Sequence, residues 1–173
     1  LILGVGRLED DLLLAREALE HGITARAFAL VGSATQHFNQ VLGCYAEGFI
    51  GPSQWENRIL YRPDYGPTAG DLNLDGTDYP HAQAYAAGLV AQRCIEDAGT
   101  LTEAELRRIA GNLDFTTFYG RFKQDPDSGR QIGHTMVVIQ WQEGLKKIVW
   151  PRAMHEDSLT SWYPINKTAL STS

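Results

Sequence analysis

The sequence predicts an α/β fold: a parallel sheet flanked by helices, followed by a C-terminal β-hairpin region. Two observations carry this. Short apolar runs alternate with helical patterns over the first fifty residues, each run closing on a glycine at position 6, 32 or 51. The last third then turns β-rich and holds a tight Glu143-Gly144 turn between two apolar runs.

Leu1 to Val5 is a continuous apolar run, the pattern of a strand covered on both faces. Asp10 and Asp11 precede Leu12, Leu13, Leu14, Ala15, Ala18 and Leu19, with Gly22 beyond. Acidic residues complement the positive N-terminal end of a helix, and glycine closes the other end. Residues 27–31 form the second strand, after which Ser33 is expected to cap a helix running to about Leu42. Residues 46–50 form the third strand. The order β-α-β-α-β with short loops implies parallel pairing through right-handed crossovers.

Residues 51–78 hold three prolines and four glycines among several Asp and Asn, which reads as an irregular connection. Pro80 then starts a helix over Ala82 to about Ala98, with Ala86, Ala87, Leu89, Val90 and Ile95 on its apolar side and Gly99 at its end. Thr102 caps a further helix over 103–112, with Leu106 and Ile109 inward. Residues 118–122 are expected as a strand and 125–129 as a turn. Residues 136–141 and 145–150 pair as a hairpin that Pro151 stops. The Ser/Thr-rich tail from Ser158 is expected to be poorly ordered at its end.

The formal net charge is -6, and the only basic doublets are Arg107-Arg108 and Lys146-Lys147. A nucleic-acid surface needs clustered Lys and Arg to neutralise phosphates, so no nucleic-acid partner is expected. No apolar run reaches membrane-spanning length, and no charged start followed by an apolar stretch marks a secretory signal. The chain begins inside a strand, so it is expected to be a piece of a longer protein. Cys44 and Cys94 lack the Cys-x-x-Cys spacing of a redox or zinc site. They are expected as free thiols, with pairing open to them in an exported protein.

Several chemical candidates fall away. Gly4-x-Gly6 lies between a strand and a helix, but Glu9 stands where a dinucleotide fingerprint needs its third glycine. Glu9, Asp10 and Asp11 would also repel pyrophosphate. Gly32-Ser33-Ala34 lacks the second glycine of a nucleophile elbow. The histidines at 21, 37, 81, 134 and 155 show no metal-ligand spacing. Asp71-x-Asn73-x-Asp75-Gly76 matches the first half of a calcium loop, yet Ala82 occupies the position of the closing glutamate. No pair of carboxylates stands out for acid/base work, and neither a cofactor nor a metal is expected.

Ligands bind outside the carboxyl ends of parallel strands. That rule singles out Arg7, Leu8 and Glu9 after the first strand, Ser33 and Ala34 after the second, and Gln54 and Trp55 after the third. Arg7 suits a carboxylate, Glu9 an ammonium and Leu8 an apolar group. Trp55 suits an apolar ligand, and Tyr61, Tyr65 and Tyr79 join it in an aromatic group that otherwise packs a core.

The run from Ala84 to Gly99 resembles the long helix in the second lobe of bacterial substrate-binding proteins of the branched-chain amino acid transport type. Tyr119-Gly120-Arg121-Phe122, then Gly133-His134-x-Met136-Val137-Val138-x-Gln140-Trp141-x-x-Gly144 and Val149-Trp150-Pro151, resemble that family's C-terminal strands. Gly48-x-x-Gly51-Pro52-Ser53-Gln54-Trp55 is similar as well. The resemblance implies a type I periplasmic-binding-protein lobe, with residues 1–173 forming the second lobe and later hinge crossings and the N-terminal lobe missing. It implies a component of an ABC-type importer, not an enzyme. Such a protein is periplasmic or otherwise extracytoplasmic, and its partners are a small solute and a membrane permease. Carried over by position, a ligand-contacting aromatic falls near Arg7 or Leu8 and an ammonium-binding acid near Ala34; neither residue type is kept. Segment 66–80 also looks shorter than in the family. These departures extend the expected solute from an amino acid to an aromatic or other organic acid or amide. Two alternatives stand beside this reading: a cytoplasmic ligand-sensing regulatory domain of the same fold, and an α/β enzyme.

Overall fold

A computed structural model describes residues 1–154 and 158–160; most of the Ser/Thr-rich tail lies outside these. In chain order the elements are β1 (Ile2–Gly4), α1 (Leu8–Glu20), β2 (Phe28–Leu30), α2 (Gln36–Leu42), β3 (Phe49–Ser53), α3 (Tyr79–Ala98), α4 (Glu103–Asn112), β4 (Asp114–Thr117), β5 (Gly120–Lys123), β6 (Val137–Gln142) and β7 (Leu145–Trp150). Two compact units divide them. Unit one holds residues 1–53 and the described residues from Val137 on, and unit two holds Gln54–Met136.

Unit one is a five-stranded sheet in the order β1-β2-β3-β6-β7. The first two pairings are parallel, as the β-α-β-α-β pattern requires. The C-terminal hairpin forms as expected, and β6 also joins the same sheet antiparallel to β3, with Ser53 opposite Val137. The sheet is therefore mixed, because a strand returning from an inserted unit is free to pair in the opposite sense.

Three local expectations are corrected. The first strand is not covered on both faces: β1 is an edge strand, and Leu1, Leu3 and Val5 are 84%, 69% and 82% exposed. Gly4 faces the other way, where an added methyl would meet Leu30 and Leu14. The third strand begins at Phe49 instead of Ala46, because Gly43–Ala46 winds into a 3₁₀ turn first. Ser33 does not cap α2. It lies inside a 3₁₀ turn, Val31–Ala34, and Thr35 is the cap, its hydroxyl accepting from the Phe38 N–H.

That turn is held from four directions. The Gly32 N–H donates to the Asp11 carboxylate at 2.6 Å. The Ser33 hydroxyl lies 2.8 Å from the Leu30 carbonyl and 2.7 Å from the Ile50 carbonyl, sharing its proton between the ends of β2 and β3. Trp141 Nε1–H donates to the Ser33 carbonyl at 2.6 Å, and Lys146 Nζ to the Ala34 carbonyl at 3.2 Å. Buried polar groups demand such partners. Around the turn, Phe28, Phe38 and Phe49 form a ring cluster, with centroids 5.0 and 5.3 Å apart for its two pairs. Burying rings of this size supplies much of a small domain's stability.

Unit two packs α3, α4 and the β4–β5 hairpin around Trp55, Ala82, Ala86, Leu89, Phe118 and Tyr119. Pro80 falls in the first turn of α3, and Gly99 ends it in the left-handed conformation at φ 62°, as the sequence implies. The strand expected over 118–122 is instead a turn followed by β5. Phe118 and Tyr119 connect the two strands, and Gly120 enters β5 at φ 130°, which disfavours a side chain. The half-matched calcium loop is a local turn: Asp71 accepts from Thr68, and Asp75 from Asn57. No metal-binding cluster of His, Cys, Asp or Glu occurs among the described residues. Cys44 and Cys94 are free thiols, the first exposed and the second buried.

Burial holds the Asp11 carboxyl above its ordinary pKa. The folded chain therefore keeps this proton to higher pH than the unfolded chain does. The associated stability is complete below the ordinary carboxyl range and is lost as pH rises through the raised value. Asp11→Asn keeps an acceptor for Gly32 without titrating. Urea midpoints are expected to show the native chain gaining on this variant as pH falls from about 7 to about 4. Asp11→Ala, which orphans the Gly32 N–H, is expected to cost about 1–3 kcal/mol at neutral pH.

Candidate functional site

In unit one, the structure brings the two expected loops together. Arg7 is the residue before the first turn of α1, and its N–H donates to the Asp10 carboxylate at 3.3 Å. Leu8 and Glu9 are the first two residues of the helix. Arg7 and Glu9 are exposed and Leu8 is half-buried. Among the described residues no ion pair engages Arg7 or Glu9, so a guanidinium and a carboxylate stand free on either side of an apolar side chain. Gly32 lies directly behind: a methyl added to it would sit 2.9 Å from Leu8 Cα. Ser33 and Ala34, both 0% exposed, present no side-chain surface, and the Ser33 hydroxyl and both carbonyls are committed to the internal bonds above. They form the floor of this region.

In unit two, Gln54 is half-buried and Trp55 is 0% exposed. Trp55 Nε1–H donates to the Phe118 carbonyl at 3.3 Å. Its ring stacks on Tyr119 (6.4 Å, 17°), which stacks in turn on His134 (5.0 Å, 15°). Gln54 ties the stack together. Its carbonyl lies 2.6 Å from His134 Nε2, and a carbonyl only accepts, so Nε2 carries the proton. Its side-chain Oε1 accepts from the Tyr119 hydroxyl at 3.3 Å and from Gln83 Nε2 at 3.0 Å. Burial raises the Tyr119 pKa and lowers that of His134, so both stay neutral near pH 7.

Gln54, Gln83, Tyr119 and His134 line one wall of a cavity of about 260 Å³. Ala86, Ala87 and Val90 of α3 and Phe122 of β5 supply apolar wall, and Arg121 is the charged lining residue. Arg121 is held by two bonds to Asp114, at 2.7 and 2.6 Å, which also hold the Asp114 carboxyl well below the usual range. Gln54 was singled out by sequence, and Trp55 proves to be the packing behind the cavity wall. Tyr119, His134 and Gln83 were not singled out. The available signal was a pair of dipeptides, Tyr119-Gly120 and Gly133-His134, in which glycine permits close approach: a methyl at Gly120 would lie 2.6 Å from His134 Nδ1.

His134 gives a pH signature. Its folded pKa lies below the ordinary histidine value, so on acidification the unfolded chain takes up the proton first, and stability falls as pH drops below about 6.5. His134→Gln retains an N–H donor for the Gln54 carbonyl but does not titrate in this range. The native chain is expected to lose stability relative to this variant between about pH 7 and pH 5, measured as the difference in thermal midpoint.

Solved structures share this fold. A leucine-binding protein LivK from Thermotoga maritima superposes with a TM-score of 0.69 at 20% identity, over 85% of this chain and 43% of its own. A Silicibacter pomeroyi protein assigned to branched-chain amino acid ABC transport superposes with a TM-score of 0.61 at 13% identity, over 91% of this chain and 46% of its own. The chain thus spans less than half the length of either. No family model and no curated protein matches the sequence. The mixed sheet with flanking helices is the type I periplasmic-binding-protein fold, and this chain carries part of it.

Proposed function

We propose that this chain is part of the substrate-binding component of an ABC-type importer, and that it does no chemistry. The supporting observation is the pair of free, oppositely charged side chains, Arg7 and Glu9, flanking Leu8 at the carboxyl end of β1. In an open α/β sheet this end is where ligands bind. Arg7 would take a carboxylate, Glu9 an ammonium and Leu8 the apolar part of an amino acid or related organic acid. Ser33 and Ala34 would position these groups from beneath. Residues 1–173 would supply the second lobe and hinge crossings, and a further lobe would complete the cleft. Lobe closure on the solute would present the loaded form to a membrane permease, a population shift driven by differential affinity. The setting would be periplasmic or otherwise extracytoplasmic. No described helix is long and apolar enough to cross a membrane.

Titration of the chain with L-leucine, L-phenylalanine and benzoate, followed by amide NMR shifts, tests this. A carboxylate-bearing solute is expected to shift the Arg7–Glu9 signals, with Arg7→Ala weakening binding at least tenfold, about 1.4 kcal/mol. Unchanged affinity in both Arg7→Ala and Glu9→Ala would sink the assignment, and turnover of any bound solute would sink the non-enzymatic reading.

A further inference from the structure

We propose that the cavity of unit two is a separate binding site for a small neutral aromatic molecule bearing a hydroxyl or amide group. The proposal does not depend on the importer reading. Three observations converge on it: size, wall chemistry and uncommitted polar atoms.

The volume is about 260 Å³. An apolar cavity of roughly 150 Å³ admits benzene, and drug-sized ligands fill roughly 300–1,000 Å³. The cavity therefore suits one ring with a substituent, or two fused rings. Its walls favour an apolar body, with Ala86, Ala87 and Val90 on one element and Phe122 on another, beside Tyr119 and His134.

The polar end of the ligand is specified by what the wall leaves over. Gln54 Oε1 already accepts two hydrogen bonds, but no described residue accepts from Gln54 Nε2. His134 donates through Nε2, so Nδ1 is an acceptor. Gly120 packs close to this ring, and a methyl there would sit 2.6 Å from Nδ1. A group that accepts from an amide and donates to an imidazole nitrogen meets both needs, as a phenol hydroxyl or a primary carboxamide does. Charge argues in the same direction. Arg121, the charged lining residue, already holds the Asp114 carboxylate together with Lys123, and no carboxylate lines the cavity for an ammonium. A charged ligand would lose hydration without compensation.

The test is amide NMR on the isotopically labelled chain, titrated separately with phenol, benzamide and benzoate. Phenol and benzamide are expected to give saturable shifts at the side-chain amides of Gln54 and Gln83 and at Gly120, with benzoate at least tenfold weaker. Ala87→Trp, at an exposed helical position on the cavity rim, is expected to fill the space and abolish these shifts while the rest of the spectrum is retained. Gln54→Leu is expected to weaken benzamide at least tenfold and leave toluene unchanged. The proposal is overturned if neither neutral ligand gives saturable shifts at these positions, if benzoate binds as well as benzamide, or if Ala87→Trp binds like the native chain. The Arg7–Glu9 signals report the solute site independently, so a failure at this cavity is distinguishable from a failure there.

Discussion

Everything in unit one depends on satisfying a buried 3₁₀ turn. Gly32, Ser33 and Ala34 leave the end of β2 with buried backbone groups, and three of these find partners far along the chain. Gly32 reaches back 21 residues to Asp11, while the Ser33 and Ala34 carbonyls receive donors 108 and 112 residues away, from Trp141 and Lys146. Elements α1, β3, β6 and β7 each contribute one group to this turn. A buried carboxylate and a nearly buried ammonium are costly unless hydrogen-bonded, and the turn supplies a bond to each. The packing leaves no slack: a methyl at Gly51 would sit 2.5 Å from the Ser33 hydroxyl and 2.8 Å from the Ala34 nitrogen.

This constraint fixes what the exposed residues can do. Asp11 is one turn beyond Arg7, so the Asp11–Gly32 bond sets the position of the α1 N-terminus relative to β2. Arg7, Leu8 and Glu9 are thereby presented from a rigid base instead of a floppy loop. Pre-organisation of this kind lowers the entropy lost on binding. The same burial explains why Ser33, a tempting ligand contact by sequence, serves as a brace between two strands.

The alternation of elements up to β3, the bounds of α3 and the C-terminal hairpin were legible because each rests on local signals: apolar periodicity, Pro80, Gly99 and the Glu143-Gly144 turn. What was not legible rests on distance along the chain. Nothing in residues 137–142 says that they pair with β3, since strand order is decided by contacts across an 83-residue insertion. Ser33 and Thr35 carry similar capping chemistry, and only burial of the first assigns the cap to the second. Phe118-Tyr119 carries strong β propensity, yet a positive φ at Gly120 makes it a turn. The site divides in the same way. Arg7, Leu8, Glu9 and Gln54 follow from a topological rule, whereas Tyr119 and His134 are brought to Gln54 from 65 and 80 residues away.

The aromatic turn of unit two has a physical reason that bears on its chemistry. A two-stranded hairpin such as β4–β5 is marginal by itself in water. Placing Phe118 and Tyr119 at its tip, against Trp55 and Ala86, gives it a core that its strands lack. That core fixes the Tyr119 ring and, through stacking, His134, so hydrogen bonding to Gln54 follows from packing. Once the Gln54 carbonyl and Oε1 are occupied, no described residue accepts from the Gln54 amide protons. Stability thus accounts for the stack, but not for the donor it leaves beside an apolar cavity. That remainder is the part of the wall on which selection for a ligand can act.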